Sequence, residues 1–180
     1  MGFIPVHKEQ NQIRALDFNS IIRESIHALR FLDGAYCTEI NYSVENDSAF
    51  YSDPKLIAII FNNIISNAIN FRNRSGKKSI VDINIFNSSD KCIINIKDNG
   101  IGINKDDQQK VFELFYRKDN NRHGSGMGLY IVKEIITKLN GKIAMESVEN
   151  GGTDFIIEIP NLMQPSYVIE EQNNFKSALK

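Results

Sequence analysis

Two short stretches concentrate the residues of this chain that could do chemistry. Asp98 to Ile103 reads DNGIGI, and Gly124 to Leu129 reads GSGMGL. Glycine lets main-chain N–H groups approach a ligand with no side chain between, and a glycine segment that opens a helix adds the positive end of the helix dipole. A third stretch, FNNIISNAINFRN, places Asn63, Asn67 and Asn70 at helical intervals of four and three, so their amides share one stripe. Asparagine is a mediocre helix former, and a core helix accommodates several only where the amides meet polar partners; a solvated polar face is the alternative. An acidic residue, two glycine clusters and a line of amides suit a nucleotide.

The elements that must position these residues follow from periodicity. Apolar residues at Phe18, Ile21, Ile22, Ile26 and Leu29 after an N-cap at Asp17 predict a first helix. Alternation at Ile40, Tyr42 and Val44 predicts a strand, and SDPK then predicts a second helix from Asp53 to about Phe71. Residues 80–86 and 92–98 alternate around NSSD as a hairpin, so Asp98 ends a strand. A third helix is expected from Gly126 to Leu139, closed by Gly141, followed by strands 142–147 and 154–159 joined through ENGG. Single apolar stripes on the helices predict an α/β two-layer sandwich: a mixed, mostly antiparallel sheet covered on one face by about three helices.

GSGMGL follows the polar stretch YRKDNNRH and not a strand, which excludes a dinucleotide fingerprint. RNRSGKKS has neither the first glycine nor the terminal hydroxyl of a P-loop in register. A net charge of -1 gives no basic field for nucleic acid, and no apolar run approaches the roughly 20 residues of a membrane span. The chain itself is therefore expected to be soluble and cytoplasmic, without membrane contact of its own, while a larger parent could be anchored in the inner membrane. Cys37 and Cys92 both fall in segments that alternate like strands, and both are expected to be buried, reduced thiols.

Taken in order, these motifs resemble the catalytic ATP-binding domain of two-component sensor histidine kinases, a branch of the GHKL ATPase superfamily, from about Leu16 to Pro160. NNIISNAINF resembles the N box, DNGIGI the G1 box, VFELFYR the F box, GSGMGL the G2 box, and GGTDF the final glycine-threonine element. The resemblance implies that Asp98 accepts from the adenine amine while Gly100 and Gly102 let the chain turn close beneath the base, with Ile103 also among the nucleotide-binding residues. It implies that Asn67 is a magnesium ligand, with Asn63 and Asn70 beside it and Phe71 near the base. Gly124, Ser125, Gly126, Met127, Gly128 and Leu129 would receive the phosphates, and Thr153 would order a water near Asp98. Phe112, Phe115 and Tyr116 would fasten a mobile lid, core packing being the other reading of these aromatics.

Hydrolytic members of the superfamily place a glutamate one helical turn before the magnesium asparagine; Asn63 stands there in this chain, so transfer is favoured over hydrolysis. The acceptor would be a histidine on a separate dimerisation domain of the parent, which in turn serves a response regulator. His7, His27 and His123 do not lie in an acceptor motif, and residues 1–15 are expected to end a preceding helical domain or linker. The ATP-binding domain is expected over residues 16–160, with 161–180 a partly ordered tail. Where relatives have a lysine this chain has Asn70, so a catalytic cation is expected from Arg117 or Arg122, with Arg72 and Lys118 nearby. An anti-sigma-type serine or threonine kinase and a degenerate nucleotide-binding interaction module are the two alternatives.

Overall fold

A computed structural model describes residues 12–73, 78–117 and 125–162. Helix α1, Phe18–Leu29, begins where the Asp17 carboxylate accepts the Ser20 amide at 3.2 Å and hydroxyl at 2.8 Å. Helix α2, Pro54–Asn70, begins with proline at a position that needs no N–H, behind Asp53, which caps the Lys55 amide at 2.9 Å. Helix α3 spans Gly128–Lys138. It stops through Asn140, whose φ of 56° puts it in the left-handed region, while the Gly141 amide reaches back to the Ile136 carbonyl at 2.8 Å. The left-handed residue of this cap is Asn140, one position before the expected Gly141.

Five strands form one sheet in the order β2-β4-β5-β7-β6. They are β2 (Thr38–Asn46), β4 (Ser79–Asn87), β5 (Lys91–Asp98), β6 (Lys142–Val148) and β7 (Gly152–Pro160). β2 runs parallel to β4, with α2 in the connection between them, and every other pairing in this sheet is antiparallel. Strict alternation divides its faces: Ile83, Ile85, Ile94, Ile96, Ile157 and Ile159 are buried under the helices. On the opposite face Asn41 bonds Asp82 and Ser43 bonds Asn84 across the parallel pair. The helices meet this sheet through Ile57, Ile60, Ile64, Ile65, Val132 and Ile136, and burial of each such side chain stabilises the fold by about 1.5–3 kcal/mol. The two-layer architecture is as expected.

Several details differ from the sequence reading. Two short strands, β1 (Arg14–Ala15) and β3 (Tyr51–Ser52), pair antiparallel beside the main sheet, so residues before Leu16 take part in the fold. Two-residue strands carry no period to detect. At the other end Asn161 is buried, and its side chain bridges the Tyr51 amide and the Ala49 carbonyl. Cys92 is buried as expected and burial pushes its thiol up to about 12, but Cys37 is exposed. It ends a short 3-10 turn, Ala35–Cys37, immediately before β2, where neither face of the sheet covers it.

Candidate functional site

The Asp98 corner is built where β5 ends. Burial pushes the Asp98 carboxyl above the usual aspartate value, against main-chain donation from Gly100 and Thr153, and Asp154 adds repulsion in the same direction as burial. Its Oδ1 accepts the Gly100 amide at 2.8 Å, which bends the chain immediately after the strand. A Cβ on Gly100 would stand 2.6 Å from the Phe71 carbonyl oxygen, and the next amide, Ile101, donates to that same oxygen at 3.0 Å. Gly102, at φ 63°, lies against the turn between β6 and β7, where a Cβ would be 2.0 Å from the Val148 carbonyl oxygen. These glycines thus let the turn after β5 touch both the end of α2 and the β6–β7 turn.

Ser147 and Gln108 complete this corner, and sequence reasoning missed both. The Ser147 hydroxyl accepts the Ile103 amide at 2.8 Å, donates to the Gly152 carbonyl at 2.9 Å, and lies 2.9 Å from the Thr153 hydroxyl. Gln108 Nε2 donates to the carbonyls of Ile103 and Ser147. Their partners are remote in sequence, and only the register that sets Ser147 opposite Thr153 makes the cluster.

Helix α2 supplies the amide line. Its apolar side enters the core, leaving Asn63, Asn67 and Asn70 half-buried on its flank. Asn63 turns Nδ2 back to the Ile59 carbonyl at 2.8 Å and leaves Oδ1 toward α3, 3.0 Å from where a Cβ on Gly128 would be. Among the described residues, no hydrogen bond engages the side-chain amides of Asn67 and Asn70. Phe71, at the helix end, is 40% exposed.

Helix α3 starts without a side-chain cap, and its first amide to find a helical partner is that of Ile131, on the Met127 carbonyl. The Gly128, Leu129 and Tyr130 amides precede it and have no intrahelical acceptor. Gly126, at φ 72°, packs so closely on the F-box segment that a Cβ would meet the Phe115 carbonyl carbon at 2.8 Å. Phe115 in turn donates its amide to the Gly126 carbonyl at 3.1 Å, which ties the F-box segment to the second glycine cluster.

The F-box aromatics separate into three roles. Phe112 packs edge-on against Phe155 at 6.5 Å between centroids, and Tyr116 donates its hydroxyl to Asp107 at 2.6 Å. That bond pushes the Tyr116 phenol up to about 12. Phe115 is 65% exposed, so its side chain fastens nothing in the core. Arg117 is exposed at the edge of the described residues. Lys118, Arg122, His123 and Gly124 lie outside the described residues, whereas Ser125 is described and exposed.

Arg72 turns away from the amide line. It donates to the Asp33 carbonyl at 3.0 Å, the Ile69 carbonyl at 3.1 Å and the Asp33 carboxylate at 3.2 Å. Among the described residues no three His, Cys, Asp or Glu side chains gather as a metal site. A metal here would need amide oxygens and a ligand's own oxygens. His27 lies on α1, and no described helix is long and apolar enough to cross a membrane.

Comparison with known proteins gives a consistent result. Residues 52–163 match the family described as histidine kinase-, DNA gyrase B-, and HSP90-like ATPase. The sensor protein RprX of Bacteroides fragilis is 32% identical over 167 residues, covering 90% of this chain and 32% of that protein. The sensor protein kinase WalK of Staphylococcus haemolyticus is 35% identical over 159 residues, covering 84% of this chain and 25% of that protein. The chain therefore spans between a quarter and a third of these two relatives. The catalytic domain of histidine kinase ThkA is 25% identical with a TM-score of 0.67, covering 83% of this chain and 96% of that one. Full-length ShkA, solved in complex with AMPPNP, shares the fold at 20% identity and a TM-score of 0.71, covering 84% of this chain and 31% of that one. With its matched segment exceeding half its length, the chain belongs to the histidine kinase-, DNA gyrase B- and HSP90-like ATPase family, and within it is similar to sensor histidine kinases.

Proposed function

We propose that this domain binds Mg-ATP and transfers the γ-phosphoryl group to a histidine on a separate dimerisation domain, for delivery to a response regulator at the cytoplasmic side of a signalling protein. The observation that carries this reading is the placement of α2. Its Asn67 and Asn70 amides, without a hydrogen-bond partner among the described residues, lie between the Asp98 turn, which abuts Phe71, and the uncapped start of α3, which abuts Asn63. A nucleotide needs these three elements together: a base acceptor, an oxygen ligand and a phosphate cradle.

The Asp98 carboxylate accepts from the adenine amine and faces an acceptor in guanine. The amides at the start of α3 receive phosphate oxygens. The Asn67 carbonyl oxygen suits a hard cation that takes its other ligands from phosphates and water. Magnesium, when bound, neutralises charge on the phosphates and holds their geometry. Asn63 cannot take a proton at neutral pH, so its position activates no water and leaves the phosphoryl group for another nucleophile. Transfer breaks the bond between the γ-phosphorus and its bridging oxygen, whose electron pair leaves on ADP, and forms a P–N bond as the imidazole loses its proton.

The test is radiolabel transfer from γ-labelled ATP, with the chain alone and with the parent's dimerisation domain added. Label should appear on a histidine of the added domain and only with magnesium. Stoichiometric labelling of this chain alone, or label on serine or threonine, would overturn the proposal.

A further inference from the structure

Arg72 follows the amide line directly, where a cation could reach phosphates, but its geometry commits it elsewhere. Its guanidinium caps α2: Nη1 donates to the Ile69 carbonyl, one of those the last helical turn leaves without an intrahelical donor, and also to the Asp33 carbonyl. The positive charge sits at the negative end of the helix dipole. The side chain is only 12% exposed although its Asp33 partner is 77% exposed, so it is the arginine that is enclosed. It lies flat on Gly34, where a Cβ would be 2.0 Å from the guanidinium carbon.

The capped turn is the one that carries the site. The Phe71 amide closes on the Asn67 carbonyl at 2.9 Å, and the Phe71 carbonyl receives Ile101 from the Asp98 turn at 3.0 Å. A continuous chain of contacts thus runs from Asp33 and Gly34 through Arg72 to the end of α2, and from there to the base pocket. We infer that Arg72 is a positioning residue for nucleotide binding, holding the end of α2 against the Asp98 turn, and that it makes no phosphate contact. This rests on the nucleotide-site reading above.

The two roles separate by ligand. A phosphate ligand loses more affinity as phosphates are added, whereas a positioning residue loses a common factor for every ligand that uses the base pocket. Adenosine, ADP and Mg-ATP should be titrated by NMR against wild type, Arg72→Ala, Arg72→Lys and Gly34→Ala. The expected loss for Arg72→Ala is on the order of tenfold and similar for all three ligands. Gly34→Ala should reproduce it, because its methyl group displaces the guanidinium without removing any charge. Arg72→Lys should rescue only part, since an ammonium cannot reach two carbonyls and a carboxylate in the same fork. Amide exchange at Phe71 and Ile101 should quicken in the weakened variants.

A loss confined to ADP and ATP would overturn the inference, as would unchanged affinity for all three ligands in a folded Arg72→Ala. Should Arg72→Ala fail to fold, Arg72→Lys decides by the same comparison of ligands. Absence of binding to wild type would instead overturn the nucleotide site itself.

Discussion

The Ile101 amide donates to the Phe71 carbonyl at 3.0 Å, joining the turn after β5 to the last residue of the α2 cap. The contact forms because Gly100 has no side chain; a methyl group there would stand 2.6 Å from that same oxygen and 2.8 Å from Asp98 Oδ1. Gly100→Ala should therefore push the two segments apart. The expected cost is about 1–3 kcal/mol in thermal denaturation, as for overpacking a tight core. Adenosine affinity should fall with it, which calorimetry checks.

Ser147 holds two main-chain groups at once, the Ile103 amide and the Gly152 carbonyl. Ser147→Ala leaves the Ile103 amide and the Gly152 carbonyl without this partner. An expected cost of about 1–3 kcal/mol follows from leaving half-buried polar groups unsatisfied. The same variant should quicken Ile103 amide exchange, a local readout that a general loss of packing would not single out.

The role proposed for Asp98 predicts both a base selectivity and a pH dependence. ATP should outcompete GTP by about tenfold or more, since a carboxylate facing the guanine carbonyl forfeits about 1–3 kcal/mol. Because burial raises the Asp98 carboxyl above the ordinary aspartate value of 3.8, the folded protein takes up this proton at higher pH than the unfolded chain does. The sign for stability follows: as pH rises from 3.8 through the folded value, this group progressively disfavours folding, and that penalty is absent at lower pH. For the ligand the direction is opposite. ATP affinity should drop on acidification through the folded value, at a pH above that of an ordinary aspartate, and Asp98→Asn should abolish this pH-dependent step.

Asn67 has an unpartnered amide among the described residues, which makes its role separable from folding. Asn67→Ala should leave the melting temperature within the small range of surface substitutions, about 0.5 kcal/mol, while removing the gain in ATP affinity conferred by magnesium. Calorimetry in magnesium and in chelator measures that gain directly. Equal binding of wild type in both conditions would rule out a metal role for Asn67.

The parts of this site that the sequence disclosed are those in which residue type is itself unusual. Asparagines inside a core helix, and paired glycines after a strand, are poor choices for packing, so Asn67 and Asp98–Gly102 stand out in the sequence itself. Ser147, Gln108 and the Arg72–Asp33 pair did not. Serine in a strand or arginine after a helix is ordinary, and their partners are brought near only by strand register and by the path of the α1–β2 connection. Cys37 was misplaced for a related reason: alternation predicted a strand one turn too early, where the chain is still in a 3-10 turn. Long amphipathic elements report themselves, whereas two-residue strands such as β1 and β3 depend wholly on tertiary pairing.

Asn70 is a neutral amide, so in the proposed transfer reaction the charge on the phosphoryl group has to be offset from another element. Arg72 is committed to Asp33 and the end of α2, which turns attention to the segment after the F box. Arg117 stands at its exposed start, and Arg122 lies outside the described residues. A guanidinium that meets the γ-phosphate acts on the transition state and leaves ADP untouched. Arg117→Ala and Arg122→Ala should therefore keep ADP affinity nearly unchanged, while at least one lowers transfer to the supplied histidine domain by about tenfold or more. ADP calorimetry beside radiolabel transfer distinguishes this from a general loss of binding, in which both would fall together. Wild-type transfer by both variants would exclude either arginine as the catalytic cation.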